Sequence, residues 1–107
     1  MGDQTPTIST HVLDVEAGRP ASGVAVALYA IDGDAERLVG GGTTDSDGRI
    51  RRLLERGLET GAYRLVFEVG GPFFRRLAVD FRVDDASRSY HVPMIVAPYS
   101  LATYRGS

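Results

Sequence analysis

The chain has 107 residues, of which 43% are hydrophobic and 24% are charged, and this size suits one domain with a single core. Its 12 basic and 14 acidic residues give a net charge of −2, which argues against a nucleic-acid partner. The absence of cysteine excludes disulfides and thiolate chemistry. No apolar run approaches the ~18 residues that span a bilayer, and no secretory signal is visible. We therefore expect a cytoplasmic, non-membrane protein whose first six residues are flexible.

Short segments of alternating apolar and polar residues are separated by clusters of Gly, Pro, Asp and Ser. This pattern is typical of an all-β fold, and it predicts an antiparallel β-sandwich of about eight strands in one domain over residues 1–107. In chain order, strands are predicted over residues 7–15, 24–31, 38–44, 49–54, 62–69, 77–83, 90–96 and 99–105.

The segments between and within these strands carry their own signals. In DSDG (45–48) the polar side chains can bond the local backbone and Gly accepts a positive φ, so a tight turn is expected. Strand 38–44 is weakened by its glycines. Pro93 has no amide hydrogen, which places strand 90–96 at an edge or gives it a bulge. Segment 54–60 fits either a turn or a short helical piece.

One face of each longer strand is apolar, and these faces are expected to form the core. The residues predicted to point inward are Ile8, Thr10, Val12, Val24, Val26, Leu28, Ala30, Tyr63, Leu65, Phe67, Val69, Leu77, Val79, Phe81, Val83, Tyr90, Val92 and Met94.

The same alternation makes the chain's two histidines, His11 and His91, project outward from their sheets. A surface histidine taken alone is most often solvated polar surface. The pair is of interest because imidazole titrates near neutrality and can activate water. Two histidines without a third spaced ligand make a poor metal site, and no metal is expected.

Arginines follow the DSDG turn at positions 49, 51 and 52. Each is consistent with an ordinary solvated charge. Each is also consistent with a residue that binds a ligand rich in anionic or carbonyl oxygens, which a guanidinium holds in bidentate fashion. Nothing in the neighbouring sequence shows which of the three arginines would bind a ligand. Other chemistry is weakly supported, because the GGG at 40–42 lacks the helix and Lys-Ser/Thr of a phosphate loop and no serine occupies a nucleophile elbow.

Five collinear stretches carry a resemblance to a known family. They are STHVLDVEAGRPASGVAVALY (9–29), TDSDGRI (44–50), TGAYRLVFEV (60–69), YHVPMIVAPY (90–99) and the closing TYRGS (103–107). Together they make the chain similar to the transthyretin-like 5-hydroxyisourate hydrolases of purine and urate breakdown. The resemblance implies a prealbumin-type, Greek-key β-sandwich. It also implies a homotetramer, a dimer of dimers, with active sites in the cleft where dimers meet.

The resemblance further implies the site residues and the reaction. His11 matches the histidine of STH, Arg49 the arginine of DGRI and His91 the histidine of YHVP, and with Ser107 these are the implied catalytic residues. The implied substrate-binding residues are His11, Arg49, Tyr104, Arg105, Gly106 and Ser107. The reaction would be cofactor-independent hydrolysis of the lactam of 5-hydroxyisourate to 2-oxo-4-hydroxy-4-carboxy-5-ureidoimidazoline, with water activated by His11 or His91.

The closing tetrapeptide is expected to form a wall of this site. A free carboxylate at Ser107 would be ionised at neutral pH and able to pair with a guanidinium or orient a histidine. Gly106 would let the backbone come close to a ligand or neighbour.

Two departures from the family pattern keep other functions open. Only GGPFFRR (70–76) stands where the family has a longer connection with a short helix, and SLA (100–102) replaces positions that usually include Gly, Tyr and Ser. The alternatives are a homologue acting on another small lactam or imide, a non-catalytic prealbumin-like binding module, and a thyroid-hormone carrier. His11, YHVP and YRGS favour an enzyme, since stability does not require them.

Overall fold

In the computed structural model, which describes residues 5–107, ten β-strands form two sheets that enclose one hydrophobic core. The first sheet contains β1 (Ile8–Asp14), β2 (Arg19–Pro20), β5 (Arg49–Ile50), β8 (Tyr90–His91), β9 (Met94–Ala97) and β10 (Ser100–Thr103). The second contains β3 (Ala25–Asp32), β4 (Ala35–Thr43), β6 (Gly61–Glu68) and β7 (Arg76–Val83). These elements confirm the predicted all-β sandwich.

β1 organises the first sheet because it pairs with four other strands. Along one edge it runs antiparallel to β2 and β5, and along the other it runs parallel to β8 and then β9. β10 pairs antiparallel with β9. The second sheet is antiparallel throughout, in the order β4-β3-β6-β7. The two parallel pairings therefore join the beginning of the chain to its end.

The core is filled from the faces that alternation predicts. In β6 the inward side chains of Tyr63, Leu65 and Phe67 are buried, while Arg64 between them faces outward and binds Asp80. The edge strand β7 is less covered, and its inward residues Leu77, Val79 and Phe81 are half-buried. The buried hydrophobic residues are Ile8, Val12, Val26, Leu28, Ile50, Leu53, Leu54, Tyr63, Leu65, Phe67, Val83, Tyr90, Val92 and Met94.

The predicted strand over 49–54 is wrong in its extent, because β5 ends at Ile50. The chain then crosses to the other sheet, where the amide of Gly41 donates to the Leu53 carbonyl at 2.8 Å and Leu54 forms a bridge with Gly40. A Cβ on Gly40 would overlap the Leu53 carbonyl group. The glycine that weakens β4 as a strand is thus required by the close approach of Leu53.

Two other local expectations have clear outcomes. Pro93 interrupts the predicted strand 90–96, which becomes β8 and β9 on either side of it, and the edge position is wrong for β9, which lies between β1 and β10. Segment 54–60 consists of bends and extended backbone, so the turn alternative is the correct one. Here the hydroxyl of Tyr63 donates to the Glu59 carbonyl at 2.7 Å and accepts from the Glu59 amide at 3.3 Å. This contact fixes the segment against β6.

The predicted flexible segment 1–6 falls mostly on residues 1–4, which lie outside the described residues. Within the described part, the Thr5 carbonyl accepts a hydrogen bond from Nη1 of Arg52 at 3.0 Å. Between residues 5 and 107, no helix has the length and apolar character needed to cross a bilayer.

Candidate active site

The outer face of β1 brings together the residues that the sequence singled out. Ser9 and His11 lie on this face, because Ile8, Thr10 and Val12 alternate with them and are buried. Arg49 of β5 is the register partner of His11, and His91 of β8 is the register partner of Ser9. Since register partners point to the same side of a sheet, Ser9, His11, Arg49 and His91 occupy one face of three adjacent strands.

A cavity of about 610 Å³ opens on this face. Of the residues described, those lining it include two arginines and one histidine but no Asp or Glu. The side chains therefore make the cavity basic, and they offer several hydroxyl groups besides. The lining residues are Ser9, Thr10, Arg49, Ile50, Arg51, Ser89, Tyr90, His91 and Ser107.

His91 is the titratable group best placed to take a proton in this cavity. Its Nδ1 atom lies 2.8 Å from the hydroxyl oxygen of Ser9. Burial lowers the pKa of His91 below the ordinary histidine value of 6.5, and electrostatic interactions with Arg49 and His11 lower it further, against an opposing hydrogen-bond contribution from the Ser9 backbone. The imidazole is thus held neutral near neutral pH, with a lone pair available to accept a proton.

His11 lies on the same sheet face but does not line the cavity. It is half-buried and is the register partner of Arg49 on the neighbouring strand. The structure therefore places His11 at the border of the cavity and His91 within it.

The end of the chain folds back against β8. The Gly106 amide donates to the His91 carbonyl at 2.8 Å, and these two residues form an antiparallel bridge. A Cβ on Gly106 would lie 2.6 Å from Cδ2 of His91, so no side chain fits there without displacing the ring. This close packing carries Ser107 to the cavity wall.

Tyr104 and Arg105 lie elsewhere. They line a separate groove of about 230 Å³ between β7 and the end of the chain, together with Phe81 and Arg82. The Arg105 guanidinium stacks over the Tyr90 ring, 4.8 Å from its centroid. Within one protomer, the closing tetrapeptide is therefore divided between two depressions that meet at Tyr90.

Sequence reasoning left six residues that line the cavity unassigned to the site: Ser9, Thr10, Ile50, Arg51, Ser89 and Tyr90. Arg51 lines the cavity together with Arg49, whereas Arg52 binds the Thr5 carbonyl. Strand alternation would have separated these arginines. Ser9 belongs to the STH stretch, but only the strand register places it opposite His91.

No metal centre is indicated in the described part of the chain, where no three His, Asp or Glu residues group closely enough to hold an ion. The cavity instead presents a neutral imidazole, guanidinium groups and hydroxyls. Such a set suits proton transfer and stabilisation of negative charge on oxygen. The fold and the site together define a β-sandwich with a basic, histidine-containing cavity on one outer sheet face.

Comparisons with known proteins agree with this class. The profile of the HIUase/Transthyretin family matches residues 8–106. The 5-hydroxyisourate hydrolase 2 of Rhizobium meliloti (strain 1021) is 41% identical over 115 residues, covering 94% of this chain and 95% of the relative. The chain therefore belongs to the HIUase/Transthyretin family, as its resemblance indicated.

Two solved structures show the same fold. The 5-hydroxyisourate hydrolase of Klebsiella pneumoniae superposes with a TM-score of 0.84 at 34% identity, covering 95% of this chain and 99% of the other. Sea bream transthyretin, solved in complex with thyroxine, superposes with a TM-score of 0.84 at 25% identity, covering 92% and 93%. Because the TM-scores are equal, the choice between a hydrolase and a carrier depends on the site residues.

Proposed function

We propose that this protein hydrolyses the lactam of 5-hydroxyisourate to 2-oxo-4-hydroxy-4-carboxy-5-ureidoimidazoline in urate breakdown. The observation that carries the proposal is that Arg49, His91 and Ser107, far apart along the chain, line one basic cavity. The 41% identity to a 5-hydroxyisourate hydrolase over nearly the whole chain supports the same substrate. A carrier would need no neutral imidazole beside a guanidinium, which favours the enzyme over the thyroxine-binding relative.

In the proposed reaction His91 acts as the general base. Its pKa is lowered, so the neutral ring takes a proton from a water molecule, and the resulting hydroxide oxygen bonds to the lactam carbonyl carbon. The bond from that carbon to the ring nitrogen then breaks. The carbon becomes the carboxyl group, and the nitrogen, which takes the proton back from His91, becomes the end of the ureido group. One water molecule is consumed, and the mechanism requires no cofactor.

Arg49 is assigned to the charge that develops during this step. Addition to the carbonyl places negative charge on its oxygen, and a guanidinium offers fixed N–H donors to stabilise it. His11, beside Arg49 on the same face, is assigned to substrate binding. Ser107 is assigned a catalytic role as a polar group at the cavity wall, with Gly106 forming the adjacent backbone.

The working unit is proposed to be a cytoplasmic homotetramer, a dimer of dimers, built from a single domain over 1–107. The cavity lies on an outer face of the sandwich, so a second chain is needed to exclude bulk water from it. Tyr104 is 53% exposed and Tyr99 is 73% exposed, and such apolar surface suits an interface. Tyr104 and Arg105 would then bind substrate across that interface, in a partner's site. Sedimentation at assay concentration tests this, and a fully active monomer would contradict it.

The test of the catalytic proposal is the decay of freshly generated 5-hydroxyisourate, followed by absorbance with and without the protein. Arg49→Gln is expected to lower kcat by about 10²–10³-fold, because a single oxyanion donor is worth this much. His91→Asn should cause a loss of about 10²–10⁴-fold. Arg52→Gln, whose guanidinium binds the Thr5 carbonyl instead, is the matched control. If wild-type protein leaves the decay of 5-hydroxyisourate unchanged, the proposed function is wrong. If Arg49→Gln and His91→Asn are both fully active, the catalytic roles of these two residues are wrong.

A further inference from the structure

Ser9 and His91 are in contact although 82 positions separate them in the chain. Parallel pairing of β1 with β8 makes them register partners on the outer face of the sheet, and the Ser9 oxygen lies 2.8 Å from Nδ1 of His91. Both residues line the cavity. Among the described residues, hydrogen bonding of the His91 side chain is confined to this one ring nitrogen.

The direction of this hydrogen bond decides what His91 can do. A neutral imidazole carries one N–H, so the nitrogen that donates to Ser9 leaves the other nitrogen as an acceptor. A hydrogen bond donated by the ring to Ser9 agrees in sign with the Ser9 contribution that raises the pKa of His91. Because Nδ1 is engaged by Ser9 and Nε2 bonds no described residue, Nε2 is the nitrogen left to act as a base in the cavity.

We propose that Ser9 is a positioning residue, whose hydroxyl accepts the Nδ1–H of His91 and so keeps Nε2 free to take the proton from water. The catalytic consequence rests on the proposed function, whereas the tautomer does not. In this scheme Ser9 takes no part in the bond changes of the substrate and acts through the ring.

Of the described residues around the ring, Ser9 is the one whose side chain hydrogen-bonds it. On one side Gly106 packs close to Cδ2, which fixes the plane of the ring without offering it a hydrogen bond. The charged and titratable groups that face it are His11 from β1, Arg49 from β5 and Arg51 beyond β5, with Ser107 from the chain end. The cationic guanidinium groups lack an acceptor, so they favour the neutral ring but cannot hold its Nδ1 proton.

The first readout is the ¹⁵N spectrum of His91, measured above its pKa with the full-length protein. We expect wild type to hold the Nδ1–H tautomer. Ser9→Ala should shift the population towards Nε2–H, the form that a neutral imidazole prefers in water, while Ser9→Thr should restore Nδ1–H. Ser100→Ala, an exposed serine on β10 outside the cavity, is the matched control. An Nε2–H tautomer in wild type, or an unchanged tautomer in Ser9→Ala, would overturn the proposal.

The second readout is the size of kcat/KM. We expect Ser9→Ala to lower kcat/KM by about 10–100-fold, the loss seen when the partner that orients a metal-binding histidine is removed, and Ser9→Thr to recover most of it. An unaltered melting temperature in Ser9→Ala would exclude a merely structural effect. If Ser9→Ala shifts the tautomer but wild type shows no turnover, the proposed function fails and the positioning role stands. If turnover is normal in Ser9→Ala, the positioning role fails alone.

Discussion

Gly106→Ala tests whether the chain end and His91 depend on each other. The added Cβ would lie 2.6 Å from Cδ2 of His91 and 3.2 Å from Cγ of Pro93. Carbon atoms in ordinary contact lie about 3.5–4.0 Å apart, so the ring or the chain end must move by about 1 Å. Gly106 is not among the positive-φ glycines, so the backbone itself accepts alanine. The effect must therefore come from this contact.

Either movement harms the proposed site. Displacing His91 disturbs its 2.8 Å contact with Ser9, and displacing the chain end removes Ser107 from the cavity wall. A misplacement of about 1 Å in an active site can cost ~10²-fold, and we expect kcat/KM to fall by about that factor. Overpacking at a place open to solvent should cost about 1 kcal/mol, which lowers Tm by about 4–8 °C.

The measurement is substrate decay by absorbance together with thermal unfolding. Gly57→Ala is the control, because a Cβ there meets nothing within 4 Å and Gly57 likewise has no positive φ. We expect it to match wild type in turnover. Gly106→Ala with the turnover of Gly57→Ala would refute the coupling of the chain end to His91.

The remaining predictions concern pH, a close contact and a buried hydroxyl. Since neutral His91 is the active form and its pKa is lowered, kcat/KM should fall as the pH is lowered, with a midpoint below pH 6.5. Because Arg49 helps to lower this pKa, Arg49→Gln should raise the His91 pKa measured by NMR. Because the folded-state pKa lies below the unfolded value, Tm should also fall as pH drops from 6.5 towards it. Gly40→Ala should reduce the free energy of unfolding, measured by denaturant titration, by more than about 3 kcal/mol, because the added Cβ overlaps backbone atoms. Gly42→Ala is the control and should cost far less, because its Cβ meets only a side chain at 3.5 Å. Tyr63→Phe should cost about 1–3 kcal/mol with turnover intact, as it leaves a backbone amide and carbonyl without their partner.

Local pattern predicted those parts of the fold that depend on neighbouring residues. The alternation in β6 correctly assigned Tyr63, Leu65 and Phe67 to the core, because a strand with one buried face must repeat every second residue. Pro93 correctly marked a local irregularity, although the edge or bulge expected there is instead a break between β8 and β9. The outward placement of His11 and His91 follows from the same alternation and agrees with their half-buried state.

Features that depend on pairing between distant residues could not be predicted from local sequence pattern. The extent of β5 was overestimated because the close approach of Leu53 to Gly40 is a contact between sheets. The partner of Ser9 is set by the register of a parallel pair, which no local signal specifies. The catalytic roles assigned from resemblance stay predictions. What the structure adds is their placement, with His91 and Ser107 in one cavity and Tyr104 in another.

The parallel pairing of β1 with β8 and β9 also links folding to enzyme activity. The proposed site combines Ser9 from β1, Arg49 from β5 and His91 from β8, so it is complete only after β1 has paired with β5 and with β8. Pairings of such high contact order close late and slowly. A partly folded intermediate that lacks the pairing of β1 with β8 and β9 would be inactive. Recovery of turnover during refolding would therefore report that this pairing is complete.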